Sequence, residues 1–143
     1  QAADGQQTGT TGQAENFTAA LLSLINNARI SIGLQSLSLN PTLNSLAKSR
    51  CDDMIARDYF SHVSPEGKDI KSFIEENGLM YKTTGENLQY CNPPSMAGPE
   101  VFFNSWMNSE THRANILNPG YSQIGIALSF NTDKAIAALV FLG

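Results

Sequence analysis

The chain contains only two imidazoles, His62 and His112, and among the acids between them Glu86 stands out, set between Gly and Asn in the short stretch "GENL". Two imidazoles and a carboxylate are donors that a divalent transition ion accepts, with water filling the remaining positions. His62, His112 and Glu86 are therefore the candidate metal ligands, and Zn2+ or another divalent cation is the implied cofactor. Just before His112, the stretch "SWMNSETHRANIL" adds Ser109 and Glu110, which bring a hydroxyl and a second carboxylate to the same neighbourhood. Such groups can serve as nucleophile and acid. Plainer roles stand beside these. His62 follows a helix end, where the macrodipole favours a cation. His112 can be a capping or satisfied polar residue, and Glu86 can serve a structural salt bridge or hydrogen bond. No Gly-x-Ser-x-Gly elbow, no Walker loop and no GxGxxG fingerprint is present, which excludes the common hydrolase, nucleotide and dinucleotide motifs.

The elements that must position these residues follow from periodicity. Phe17, Leu21, Leu24, Ile25 and Ala28 recur at three- and four-residue steps and form one helical stripe, with Gly33 as its stop. Asn40 and Pro41 are a cap and first-turn pair for a second helix. Its inward face holds Leu43, Leu46, Ala47, Arg50 or Cys51, Met54 and Ile55. Asp69 caps a short third helix ending at Asn77-Gly78. "YKTTGENLQY" is extended and interrupted at Gly85, and "CNPPSMAGP" is a loop. Pro99 opens a further helix carrying Val101, Phe102 and Trp106, and "THRANIL" adds one more turn. Alternation in "YSQIGIALSF" and "KAIAALVFLG" gives two strands joined at "NTDK" as a terminal hairpin. Helices followed by a hairpin make an α+β domain with an antiparallel sheet covered by helices.

Residues 1–14, "QAADGQQTGTTGQA", hold almost nothing apolar and are expected to be a flexible leader or linker to a domain spanning 15–143. The net charge of −4, with no Lys/Arg cluster, argues against a nucleic-acid partner. No apolar run approaches the roughly 18 residues of a membrane helix. Low charge with many Ser, Thr, Asn and Gln points to an exported protein. Cys51 faces the core from helix two, and Cys91 follows the segment expected to pack on that layer. In an oxidising compartment the two are expected to form a disulfide.

The ordered set of motifs "INNARISIGLQSLSLNPTLNSLAKSRCDDMIARDYFSHVSPEGKD", "GENL", "SWMNSETHRANIL" and "QIGIAL" resembles the CAP superfamily, which spans cysteine-rich secretory proteins, antigen 5 and pathogenesis-related group 1 proteins. The match runs from about residue 17 to 143, in a form similar to the bacterial SCP-like branch. The resemblance implies a three-layer α-β-α sandwich. It implies a cleft of two His and two acids, mapping onto His62, Glu86 and His112. The family's second acid sits three residues after the helix Trp. Here that slot is Ser109, with Glu110 one step on and turned by about 100°. The family's members bind metals, lipids or protein partners, and proteolysis has been proposed for some. Two functions follow as expectations. The first is a secreted or surface-tethered binding module with a metal-capable cleft, taking an unidentified small ligand, lipid or protein and needing no metal to fold. The second is a metal-dependent extracellular hydrolase using Glu86 or Glu110 as general base.

Overall fold

The computed structural model describes residues 2–143, with side chains from Glu15 onward. The expected leader, residues 1–14, lies outside the residues whose side chains are described. The first helix, α1, spans Ala2–Ser31. There follow β1 (Ser38–Leu39), α2 (Pro41–Ala56), α3 (Ile70–Glu76), β2 (Thr84–Cys91), α4 (Pro99–Met107), α5 (Glu110–Ile116), β3 (Gln123–Phe130) and β4 (Ala135–Leu142).

The helix starts follow local chemistry. Asn40 accepts the N–H groups of Thr42 and Leu43 at 2.8 and 3.2 Å, with Pro41 as first helical residue. This satisfies donors that the first turn otherwise leaves open. Asp69 does the same for α3 through Ser72 N–H. The inward stripe of α2 buries Leu43, Leu46, Ala47, Arg50, Cys51 and Met54.

The sheet order is β1-β3-β4-β2. The β3–β4 and β2–β4 pairs are antiparallel, as expected for the hairpin and its neighbour. The two-residue β1 pairs parallel to β3 through Ser38–Gln123 and Leu39–Ile124, so the sheet is mixed. No two-residue strand leaves a period-2 pattern to be found in advance. Strand β4 is central and buried along its whole length. Its odd residues, Ala137, Leu139 and Phe141, face the α1/α4/α5 layer with Phe17, Leu21, Ile25, Phe102, Trp106 and Ile116. Its even residues, Ile136, Ala138, Val140 and Leu142, face α2 and α3 with Leu43, Leu46, Met54 and Ile74. This is the three-layer α-β-α sandwich. Each large aliphatic or aromatic side chain fully buried in it contributes roughly 1.5–3 kcal/mol. At Gly125 an added Cβ would run into the backbone carbonyl of Leu43, so α2 lies directly on β3 and only glycine permits that approach.

Strand β2 runs through Gly85 without the expected interruption. The Tyr121 ring occupies the space where a side chain at Gly85 would go. The cysteines also correct an expectation. Cys51 and Cys91 are both free. Cys51 is buried between α2 and the sheet with the α2/α3 cluster, whereas Cys91 packs against the α1/α4 cluster on the other face. Alternation along β2 is the physical cause. Leu88 points to the α2 layer, so Cys91, three residues later, points to the opposite one. A sheet stands between the two sulfurs. Burial pushes the Cys51 thiol up to about 12, which makes it an inert core group.

Candidate functional site

Strand β2 lies at the edge of the sheet, and its alternation builds the site. Glu86 turns toward α2, and the next residue, Asn87, turns toward α5. Each then organises one histidine.

On the α2 side, Glu86 is 6% exposed and meets Arg50, which is 2% exposed. The guanidinium grips the carboxylate at two points, Nε to Oε2 at 2.9 Å and Nη2 to Oε1 at 3.2 Å. Arg50 also donates to the Ser61 carbonyl at 2.8 Å and the Tyr59 hydroxyl at 3.3 Å, and lies 5.2 Å from the Phe73 ring centre. Burial works against the guanidinium charge, but hydrogen bonding to Glu86 and that residue's charge more than offset it, and the Arg50 pKa is raised. The bond to Ser61 fixes the segment that carries His62. The imidazole Nδ1 then lies 2.9 Å from Glu86 Oε1, with the His62 side chain 58% exposed. Hydrogen bonding to Glu86 raises the His62 pKa.

On the α5 side the side chains that hold His112 are neutral. Asn87 is fully buried and donates to the backbone carbonyl of His112 at 3.0 Å. It accepts from Asn115 Nδ2 at 2.8 Å, and Tyr121 donates to Asn115 at 3.3 Å. The buried Arg29 of α1 donates to the carbonyls of Ile116, Asn118 and Tyr121 at 2.9 to 3.2 Å, closing the end of α5. Trp106 anchors α4 to the same strand through Nε1 to the Leu88 carbonyl at 3.0 Å. His112 itself sits with Nδ1 2.9 Å from the Ser109 hydroxyl. Its pKa is lowered, by burial and then by the charge of nearby His62.

Of the sequence candidates, His62 and Glu86 are in direct contact, and so are His112 and Ser109. Glu110 is exposed in the first turn of α5 and joins none of these contacts. Both Glu86 oxygens are occupied by Arg50 and His62. Among the described residues no three His, Cys, Asp or Glu side chains gather as a metal-holding set. Asn87 braces the backbone of His112, Asn115 braces Asn87 in turn, and Arg113 binds the Met107 carbonyl at 2.9 Å. Sequence reasoning left Arg50 undecided beside Cys51 and did not name it as the partner of Glu86. The available signal was an arginine within an apolar helical stripe. An aromatic pair, Phe60 and Tyr90, also went unnoticed. These rings are about half exposed, with centres 5.8 Å apart, and Phe60 precedes His62 by two residues.

A family model for the cysteine-rich secretory proteins, CAP, matches residues 22–141. The chain belongs to the CAP family. The CAP match includes every residue of the site just described. The uncharacterized protein YkwD of Bacillus subtilis is 35% identical over 128 residues, covering 87% of this chain and 48% of YkwD. The CAP domain thus spans about half the length of that relative. Among solved structures, an extracellular SCP-domain protein of Bacillus anthracis superposes with a TM-score of 0.77 at 22% identity, over 92% of this chain and 40% of that one. The structure of NaASP2 with Zn2+ superposes at 0.66 with 10% identity, over 91% of this chain and 80% of that one. At these identities the two structures establish the shared CAP fold. No helix among the described residues is long and apolar enough to cross a membrane.

Proposed function

We propose that this CAP domain is an extracellular or cell-surface binding module whose cleft takes a divalent metal ion, zinc first, between the Nε2 atoms of His62 and His112. The observation that carries this reading is that both rings commit the same nitrogen to the protein. Each imidazole spends Nδ1 on a protein partner, Glu86 Oε1 or Ser109 Oγ, at 2.9 Å. Each is thereby left with Nε2 for a ligand. A histidine that ligates a metal through one nitrogen characteristically gives the other to a carboxylate or similar group, which fixes the ring and raises its basicity. Glu86 then acts one bond away from the metal and not as a ligand. With two protein donors the ion keeps open water positions and binds more weakly than in a closed structural site. A solved structural relative, NaASP2, contains Zn2+, which is consistent with this choice.

The hydrolase reading needs an acid within reach of a metal-bound water. Glu86 is committed to Arg50 and His62, and Glu110 is exposed outside the contacts, so the binding reading is the better supported. Neither histidine belongs to the two core clusters, so the domain is expected to fold without the ion. Calorimetric titration of Zn2+ tests the proposal. His62→Ala and His112→Ala should each remove most of the affinity, and Glu110→Ala should leave it unchanged. Undiminished zinc binding by the double histidine variant would refute it.

A further inference from the structure

We infer that Ser109 is a positioning residue for His112, holding the imidazole in the tautomer that presents an unprotonated Nε2 to the cleft. The inference rests on the two-histidine reading above. It starts from an anomaly at a helix end. Ser109 is the N-cap of α5, with the extended backbone of such a position (φ −109°, ψ 123°), yet its side chain makes no capping hydrogen bond. Asn40 and Asp69, at the same position of α2 and α3, both cap. A capping hydroxyl is normally turned onto a backbone N–H of the first turn. In Ser109 the hydroxyl is turned instead onto His112 Nδ1, three residues on.

A hydroxyl beside Nδ1 can donate or accept, so geometry alone admits two tautomers. Thr111 Oγ1 lies 3.5 Å from Ser109 Oγ, where either hydroxyl can donate; with the serine proton turned to Thr111, an oxygen lone pair faces Nδ1–H, and this is the arrangement assigned here. Across β2, the partner of His62 is a carboxylate gripped by Arg50, an acceptor only, so Nδ1 of His62 carries its proton. With Nδ1–H on both rings, both Nε2 lone pairs are open, as a shared cation requires. The opposite tautomer at His112 would make Ser109 a donor activated by the ring, the arrangement of a nucleophile. The family acid expected at this slot would fix the ring by charge. Here a neutral hydroxyl does so by hydrogen bonding.

The test is nitrogen-15 NMR of the histidine rings in the metal-free protein at about pH 8, combined with titration of zinc. Wild type should show Nδ1 protonated and Nε2 unprotonated at His112. Ser109→Ala should move His112 toward the Nε2–H tautomer and weaken zinc binding about 10- to 100-fold, the range for loss of a ligand's outer partner. Its melting temperature should hold, because no capping bond is lost. Ser109→Thr should restore both readouts. An Nε2–H tautomer in wild type overturns the inference. So does a Ser109→Ala protein whose tautomer and zinc affinity match wild type, an outcome that leaves the metal reading standing. A wild-type protein that binds no zinc refutes the metal reading, and the tautomer shift in Ser109→Ala then decides the role of Ser109 by itself.

Discussion

The two faces of β2 hold two similar rings by different means. On the α2 side a buried ion pair, Arg50–Glu86, holds His62. On the α5 side, amides and hydroxyls, Asn87, Asn115 and Ser109, hold His112. One ring therefore sits beside a full negative charge and the other beside neutral dipoles. The difference teaches that ring placement and ring basicity are set separately. The sheet edge places both, while the buried neighbour on each face tunes each one.

Breaking the charged side should cost most. Glu86→Ala leaves Arg50 buried without its counter-charge, and is expected to destabilise the domain by about 3–5 kcal/mol in denaturant unfolding. The replacement of both partners, Arg50→Met with Glu86→Leu, should recover most of that loss, because no uncompensated charge remains. A double variant as unstable as Glu86→Ala would show that the ion pair is not the source. Breaking the neutral side should cost less. Asn87→Ala removes one hydrogen bond given and one accepted, and leaves Asn115 Nδ2 without its acceptor. A loss of about 1–3 kcal/mol is expected, together with loosened α5 amides in hydrogen exchange. A loss as large as for Glu86→Ala would erase the contrast between the two sides.

The smallest effect concerns pH, where the two rings should behave in opposite ways. His62 should titrate above the ordinary histidine value of 6.5 and His112 below it, measured by NMR. Because the folded pKa of His62 is raised, its contribution to stability is complete below about 6.5 and fades as pH rises through the raised value. Because that of His112 is lowered, its contribution is complete above about 6.5 and fades as pH falls through the lowered value. The half-exposed position of His62 keeps its share small. The two trends partly cancel in wild type, so His62→Ala should become the more acid-sensitive protein. Metal binding needs both rings neutral, so zinc affinity should fall first as pH drops through the raised pKa of His62.

Much of this arrangement was legible in the sequence, and the misses have specific causes. Strong periodicity marked α2 and the terminal hairpin, and the Asn40-Pro41 and Asp69 caps marked helix starts, because these signals are local. The expectation that His62, Glu86 and His112 share one cleft is non-local and came from resemblance to a family; the contacts in the structure are His62 with Glu86 and His112 with Ser109. Arg50 was missed as the Glu86 partner because a helical stripe says which face a residue occupies and not what it meets there. The Cys51–Cys91 pairing failed on strand parity. The odd separation of Cys91 from Glu86 along one strand already placed it on the far face of the sheet. The parallel β1 was illegible, since its two residues are held by β3 and carry no pattern of their own.

The most direct test of the central claim is nitrogen-15 NMR of the two imidazoles as zinc is added to saturation. Nε2 of both His62 and His112 should shift in step with the metal, while both Nδ1 atoms keep their protons and their bonds to Glu86 and Ser109. Nε2 signals that do not move when zinc is bound, or a response from only one ring, would contradict a shared two-histidine site.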